Sequence, residues 1–230
     1  MRRLTVPVWA GAGSIAVAVL SGARGWAPLL AFGLGGFAGG SALRQISLNI
    51  RKPRPNRLRG LLGRSGGGMI VHVGVVLIGV ALAASNSYVR QSEFTMVPYQ
   101  SATFAGHEVT YLGSELREHP NRVERVARVR IDDAKVYAPA VARYPFGSST
   151  IGIPSVRSTW RDDVALSVVS FPEGEASVDQ VVLRVTVQPM VVWLWIGGIV
   201  IALGTALSLV PSRGSRRIPE SVPQEASLVT

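Results

Sequence analysis

The run Gly67-Gly68-Met69-Ile70-Val71-His72-Val73-Gly74-Val75-Val76-Leu77-Ile78-Gly79-Val80-Ala81-Leu82-Ala83-Ala84 decides how the rest of this chain is read. Wound as a helix it measures about 27 Å at roughly 1.5 Å per residue, enough to cross the hydrocarbon of a bilayer. His72 stands alone among ionisable groups inside it. A titratable side chain at such a position is costly without a partner, and by default it marks an ion pathway, a proton relay or a bound cofactor. The neutral imidazole that burial favours is also the form that ligates iron.

Working outward, the 230-residue chain is 47% hydrophobic, and its apolar residues are concentrated in blocks, the distribution of a membrane protein. Three further segments, about 6–20, 26–43 and 190–210, accompany the first. The segment 6–20 is marginal in length. It follows Arg2-Arg3 and precedes Ser21-Gly22-Ala23, so it reads either as a short spanning helix or as a cleaved signal peptide. The close approach of Trp26 favours a tight helical hairpin and hence the helix.

The net charge of +10 points to nucleic acid only until the charges are located. Arg44, Arg51, Lys52, Arg54, Arg57, Arg59 and Arg64 occupy one short stretch without an acidic residue, whereas 85–188 holds 11 basic and 12 acidic residues. The excess therefore lies beside apolar segments, the pattern of cytoplasmic loops and not of a phosphate-binding groove. This excludes nucleic acid as the expected partner and leaves membrane lipid. The same asymmetry predicts a cytoplasmic N-terminus, a cytoplasmic basic loop over 44–66 and an extracytoplasmic segment over 85–188. Absence of cysteine excludes disulfides and thiolate metal sites.

Segment 85–188 reads as strands. The stretches 103–112, 123–131, 164–171 and 180–187 are rich in Val, Thr and aromatics and are separated by turn signals at Gly113-Ser114, Pro145-Phe146-Gly147 and Pro172-Glu173-Gly174. The expected fold class is an α+β membrane protein, with about four transmembrane helices and a small antiparallel sandwich or barrel between the third and fourth. The expected division is a membrane region over 1–84 (helices about 6–20, 26–43 and 67–84), a β domain over 85–188, a final helix over 189–210 and a disordered cytoplasmic tail over 211–230.

On a helix, Gly68, His72, Val75 and Gly79 share one face, a stripe of small residues around one imidazole that would let a flat macrocycle or another helix come very close. A histidine hydrogen-bonded to a neighbouring helix is the competing reading. Gly35 with Gly39 and Gly36 with Gly40 satisfy the same small-xxx-small rule, and close helix packing accounts for them. Trp193 and Trp195 fall where interfacial aromatic belts form. His107 and His119 lie beside turns and read as solvent-facing, with a metal or haem pair as the alternative. Within Asp132-Asp133 and within Asp162-Asp163 adjacent members point to opposite faces of a strand, which excludes an acid/base couple inside either pair. No nucleotide-binding glycine motif or zinc-ligand spacing occurs.

Three stretches together resemble the C-terminal part of the CcmF family, the cytochrome c-type biogenesis or haem lyase family: Gly67-Gly68-Met69-Ile70-Val71-His72-Val73-Gly74; Gly106 through Tyr111-Leu112-Gly113 to Pro120-Asn121 and Ala127-Arg128; and Ile153-Pro154-Ser155 through Arg161-Asp162-Asp163-Val164 and Gln188-Pro189 into Trp193-Leu194-Trp195-Ile196-Gly197-Gly198. The resemblance covers about residues 26–210. It implies that His72 is an axial iron ligand of a haem b, with Gly68, Val75 and Gly79 facing that haem, in a bacterial inner-membrane machine that attaches haem to apocytochrome c.

Members of that family are much longer and carry a tryptophan-rich WWD loop between two external histidines. Nothing here matches that loop, and His107 and His119 are not assigned to its histidines. The resemblance thus implies a split protein: this chain as the C-terminal subunit, the haem shared with a longer N-terminal CcmF-like chain, and other cytochrome c maturation proteins nearby. No complete catalytic set is expected in this chain alone. The alternative is a non-catalytic, membrane-anchored scaffold whose outer β domain binds a partner protein.

Overall fold

The computed structural model describes residues 4–51, 63–132, 135–145, 150–172 and 179–210. Of the basic loop expected over 44–66, residues 44–51 and 63–66 are helical and 52–62 fall outside the described residues, as does the tail expected over 211–230. Among the described residues there are four helices: α1 (Thr5–Leu20), α2 (Trp26–Arg51), α3 (Gly63–Ser87) and α4 (Val191–Leu209). Three are long and apolar enough to cross a membrane, namely α2, the stretch Gly66–Ser87 of α3, and α4; α1 is shorter, at 16 residues. Helix α2 runs on past the apolar segment to Arg51. Hydropathy marks the part of a helix that suits lipid, and the backbone ladder continues through the basic residues beyond it.

Helices pack side by side in chain order, and glycine makes the close approaches possible. Gly36 and Gly40 of α2 face α1, where an added Cβ would lie 2.7 Å from the Ala10 carbonyl oxygen and from the Ala10 Cβ respectively. Gly35 and Gly39, on another face, receive Val80 and Val76 of α3. The Ser14 hydroxyl donates to the Phe32 carbonyl at 2.6 Å and ties α1 to α2. Between α3 and α4 the seam is antiparallel: a Cβ on Gly74 would lie 2.8 Å from the Gly197 oxygen, and one on Gly67 would lie 2.5 Å from the Gly204 oxygen. Both pairs of glycines are seven residues apart, two helical turns, so they recur on one face.

Among the described residues, ten strands lie between α3 and α4: β1 (Arg90–Met96), β2 (Ser101–Phe104), β3 (His107–His119), β4 (Arg122–Ile131), β5 (Val136–Tyr137), β6 (Ala140–Arg143), β7 (Thr150–Ile153), β8 (Ser155–Ser158), β9 (Asp162–Ser170) and β10 (Val181–Pro189). They form two antiparallel sheets, one ordered β1-β10-β9-β8 and the other β2-β3-β4-β6-β7 with β5 on β4. Alternate residues of β9 and β10, including Val164, Leu166, Val181, Leu183 and Val185, meet Val109, Tyr111, Ala127, Val129 and Ile131 of the second sheet in one buried core. Period-two burial is what a half-buried strand requires.

Two details differ from the sequence expectation. The stretch 103–112 is two strands, because Ala105 and Gly106, both at positive φ, turn the chain so that Phe104 pairs with His107. Gly113-Ser114 is no turn: Gly113, at φ 123°, sits at a register shift between Tyr111 and Gly113 within β3. A bulge absorbs the positive φ without ending the strand.

Strand β1 follows α3 after Tyr88 and Val89, β10 enters α4 through Met190, and β1 pairs with β10 from Arg90↔Val187 onward. The packed helix pair is thus continued by a hydrogen-bonded strand pair. Tyr88 and Met190 pack at this joint against Ala18, Ala23, Phe32 and Ala84, and the Tyr88 hydroxyl donates to the Ala18 oxygen at 3.1 Å.

Candidate functional site

Neighbours claim two faces of α3, α4 taking that of Gly67 and Gly74 and α2 that of Val76 and Val80. Gly68, His72, Val75 and Gly79 lie on what is left. His72 and Gly79 are exposed, Val75 is 53% exposed and Gly68 is half-buried. A Cβ added at Gly68 or Gly79 would find no atom within 4 Å. His72 has no hydrogen-bond or ion-pair partner among the described residues. Fifteen residues, about 22 Å of helix, separate it from the end of α3 that leads into the β domain.

This arrangement leaves the imidazole no polar partner from its own chain, and the glycines on either side leave flat backbone beside it. A planar group or a closely packed helix fits such a surface. The imidazole is the polar group on that face, and the two glycines keep the helix surface beside it free of side chains.

A second cluster forms at the foot of the β domain. His107, 13% exposed in its side chain, lies between two carboxylates: its Nδ1 is 2.8 Å from Asp132 Oδ2 and its Nε2 is 3.3 Å from Asp162 Oδ2. Arg157 pairs with the same Asp132 oxygen, and the Glu108 amide donates to Asp132 Oδ1 at 2.8 Å. Burial alone would raise the Asp132 carboxyl, yet hydrogen bonds from His107, Glu108 and Arg157 outweigh it and hold the group at about 2. Sequence reasoning placed His107 in solvent and excluded an acid/base couple within either adjacent aspartate pair. The tertiary fold instead brings one member of each acidic pair to the same imidazole. Asp162 belongs to β9 and Asp132 follows β4, so the cluster joins the two sheets. Its polar groups satisfy one another, which makes it a structural strut. His119 is more exposed and reaches Glu124 Oε2 at 3.3 Å.

At the far end, Asp179 accepts from the Tyr111 hydroxyl at 2.8 Å, the Ser114 amide at 2.6 Å, the Ser114 hydroxyl at 2.6 Å and Arg125 at 3.1 Å. Burial tends to raise its carboxyl, but these donors together lower it. Burial first, and then Asp179, push the Tyr111 hydroxyl the other way, well above the ordinary phenol range. Nothing in local sequence signals this clamp, since Tyr111 and Asp179 are 68 residues apart.

No family model matches the chain. It is similar to the cytochrome c-type biogenesis protein CcmF of Pseudomonas fluorescens, with 28% identity over 214 residues that cover 87% of this chain and 31% of that protein. The protein of the same description from Pseudomonas aeruginosa is 26% identical over 157 residues, 66% of this chain and 23% of its own length. Among solved structures, one described as cytochrome c heme lyase CcmF superposes with a TM-score of 0.67 at 24% identity, covering 92% of this chain and 35% of that one. The chain thus spans about a third or less of the length of these relatives.

Proposed function

This chain is a CcmF-family protein corresponding to part of the length of its relatives, and from that premise we propose that it is the C-terminal subunit of a split cytochrome c haem lyase. It serves cytochrome c-type biogenesis in the bacterial inner membrane, as a multi-pass protein with residues 85–188 on the extracytoplasmic side. A longer CcmF-like chain carrying the WWD loop supplies the rest of the machine.

The observation that carries this reading is the open face of α3. His72 points away from α2 and α4, flanked by Gly68 and Gly79 with free space where side chains would stand. In a bilayer such an imidazole meets lipid, at a cost, unless another molecule covers it. In this reading His72 would hold the iron of a haem b shared between this chain and its partner. When bound, that haem supplies one-electron transfer toward the haem being attached to apocytochrome c. His72 would offer a ring nitrogen, Gly68 and Gly79 would leave room for a flat group beside the helix, and Val75 would add an apolar wall. The β domain, joined stiffly through β1 and β10, offers the surface for apocytochrome c and the other maturation proteins.

Co-expression with the longer chain and purification of the complex tests this. A reduced-minus-oxidised absorbance spectrum is expected to show b-type haem bands that vanish in His72→Ala while the two chains still co-purify. Bands unchanged by that substitution would remove the ligand assignment and leave a packed histidine on a scaffold subunit.

A further inference from the structure

We propose that the turn between β8 and β9, Thr159-Trp160-Arg161, is a membrane anchor of its own, with Trp160 bedded in the phospholipid headgroup layer so that the foot of the β domain is held on the bilayer. Helix α4, apolar and long enough to cross, begins at Val191, so Met190 stands at the membrane surface. Two hydrogen bonds fix the turn at that level. The Met190 amide donates to the Arg161 oxygen at 3.1 Å, and the Trp193 indole nitrogen donates to the Trp160 oxygen at 3.0 Å.

The turn is also internally braced, because the Thr159 amide donates to the Asp162 oxygen at 2.9 Å and the Thr159 hydroxyl accepts from the Asp162 amide at 3.0 Å. Its shape therefore does not collapse to hide the indole, and Trp160 is 74% exposed. Trp195, on another side of the same end of α4, is 75% exposed. An indole has an apolar body and one polar edge, which is why tryptophan concentrates where hydrocarbon gives way to headgroups.

Arg161 adds the matching charge. It is exposed and has no side-chain partner among the described residues, whereas the neighbouring Asp162 carboxylate is engaged by His107 and the Thr159 hydroxyl. A guanidinium free beside a bedded indole suits lipid phosphate. Lipid is favoured over a protein partner because the turn is hydrogen-bonded to the first residues of a helix whose own surface continues into the membrane. The inference does not depend on haem.

The test uses the full chain biosynthetically labelled with 5-fluorotryptophan, in phosphatidylcholine vesicles doped with a headgroup-nitroxide lipid. Trp160→Phe assigns the Trp160 fluorine resonance by its disappearance, and that conservative change keeps the backbone acceptor for Trp193. The Trp160 resonance is expected to broaden with the nitroxide lipid and to resist a soluble paramagnetic agent. Overturning outcomes are a resonance broadened only by the soluble agent, meaning water, or one shielded from both, meaning protein cover.

Discussion

Leucine placed at Gly79 and at Gly74 asks opposite things of one helix. At Gly79 a new Cβ meets nothing within 4 Å. Replacing glycine by leucine in a helix gains roughly 0.5–1 kcal/mol in propensity, so Gly79→Leu in the isolated chain is expected to be neutral or slightly stabilising. At Gly74 the Cβ would stand 2.8 Å from the Gly197 oxygen and 2.9 Å from the Ile201 nitrogen, both backbone atoms that cannot turn aside. Overpacking of this kind costs typically about 1–3 kcal/mol for a methylene or so, and a whole leucine more, so Gly74→Leu is expected to split the α3–α4 seam. Loading with haem reverses the ranking of interest. If the Gly79 face is covered in the complex, the extra side chain intrudes on a close contact, and about 1–3 kcal/mol there corresponds to a roughly 5- to 150-fold loss of affinity, read as lost occupancy when haem is limiting. Thermal unfolding of each variant in detergent, followed by circular dichroism, measures the first effect. Haem absorbance per mole of co-purified complex measures the second. A Gly79→Leu complex with full haem content would refute the assignment of this face, whatever the behaviour of Gly74→Leu.

Further expectations concern the β domain. Asp179→Ala orphans the buried Tyr111 hydroxyl and the Ser114 amide, at about 1–3 kcal/mol for an unsatisfied buried donor and about 1 kcal/mol for an ordinary lost bond. Adding Tyr111→Phe should recover part of that loss, and strictly additive unfolding energies in the double variant would contradict the clamp. Because the Asp132 carboxyl is held below its unfolded value, its contribution to stability is complete above about pH 4 and is lost as pH falls toward 2. Acid unfolding of Asp132→Asn should therefore be flatter than wild type in that window, and superimposable curves would count against the His107 strut.

Legibility differs sharply between the two halves of the molecule. Helices α2, α3 and α4 were readable because lipid-spanning length integrates apolar character over some twenty residues, a signal that single substitutions hardly disturb. The strands β4, β9 and β10 were readable through alternation of Val with polar residues. Turn signals were less faithful: Gly113 marks a bulge, since glycine licenses a positive φ without saying whether the strand continues. His107 was misplaced in solvent, because its partners Asp132 and Asp162 lie 25 and 55 residues away and only the packing of two sheets brings them together.

Spacing alone put Gly68, His72, Val75 and Gly79 on one side of a helix, since 3.6 residues per turn leaves no other arrangement. The same rule applies equally to Gly67 with Gly74, and nothing in the order of residues says which glycine stripe is spent on packing within the chain. Neighbouring helices decide that. With α4 seated on Gly67 and Gly74, and α2 on Val76 and Val80, the imidazole is left facing outward, because a helix surface is assigned by the bodies that come to lie against it.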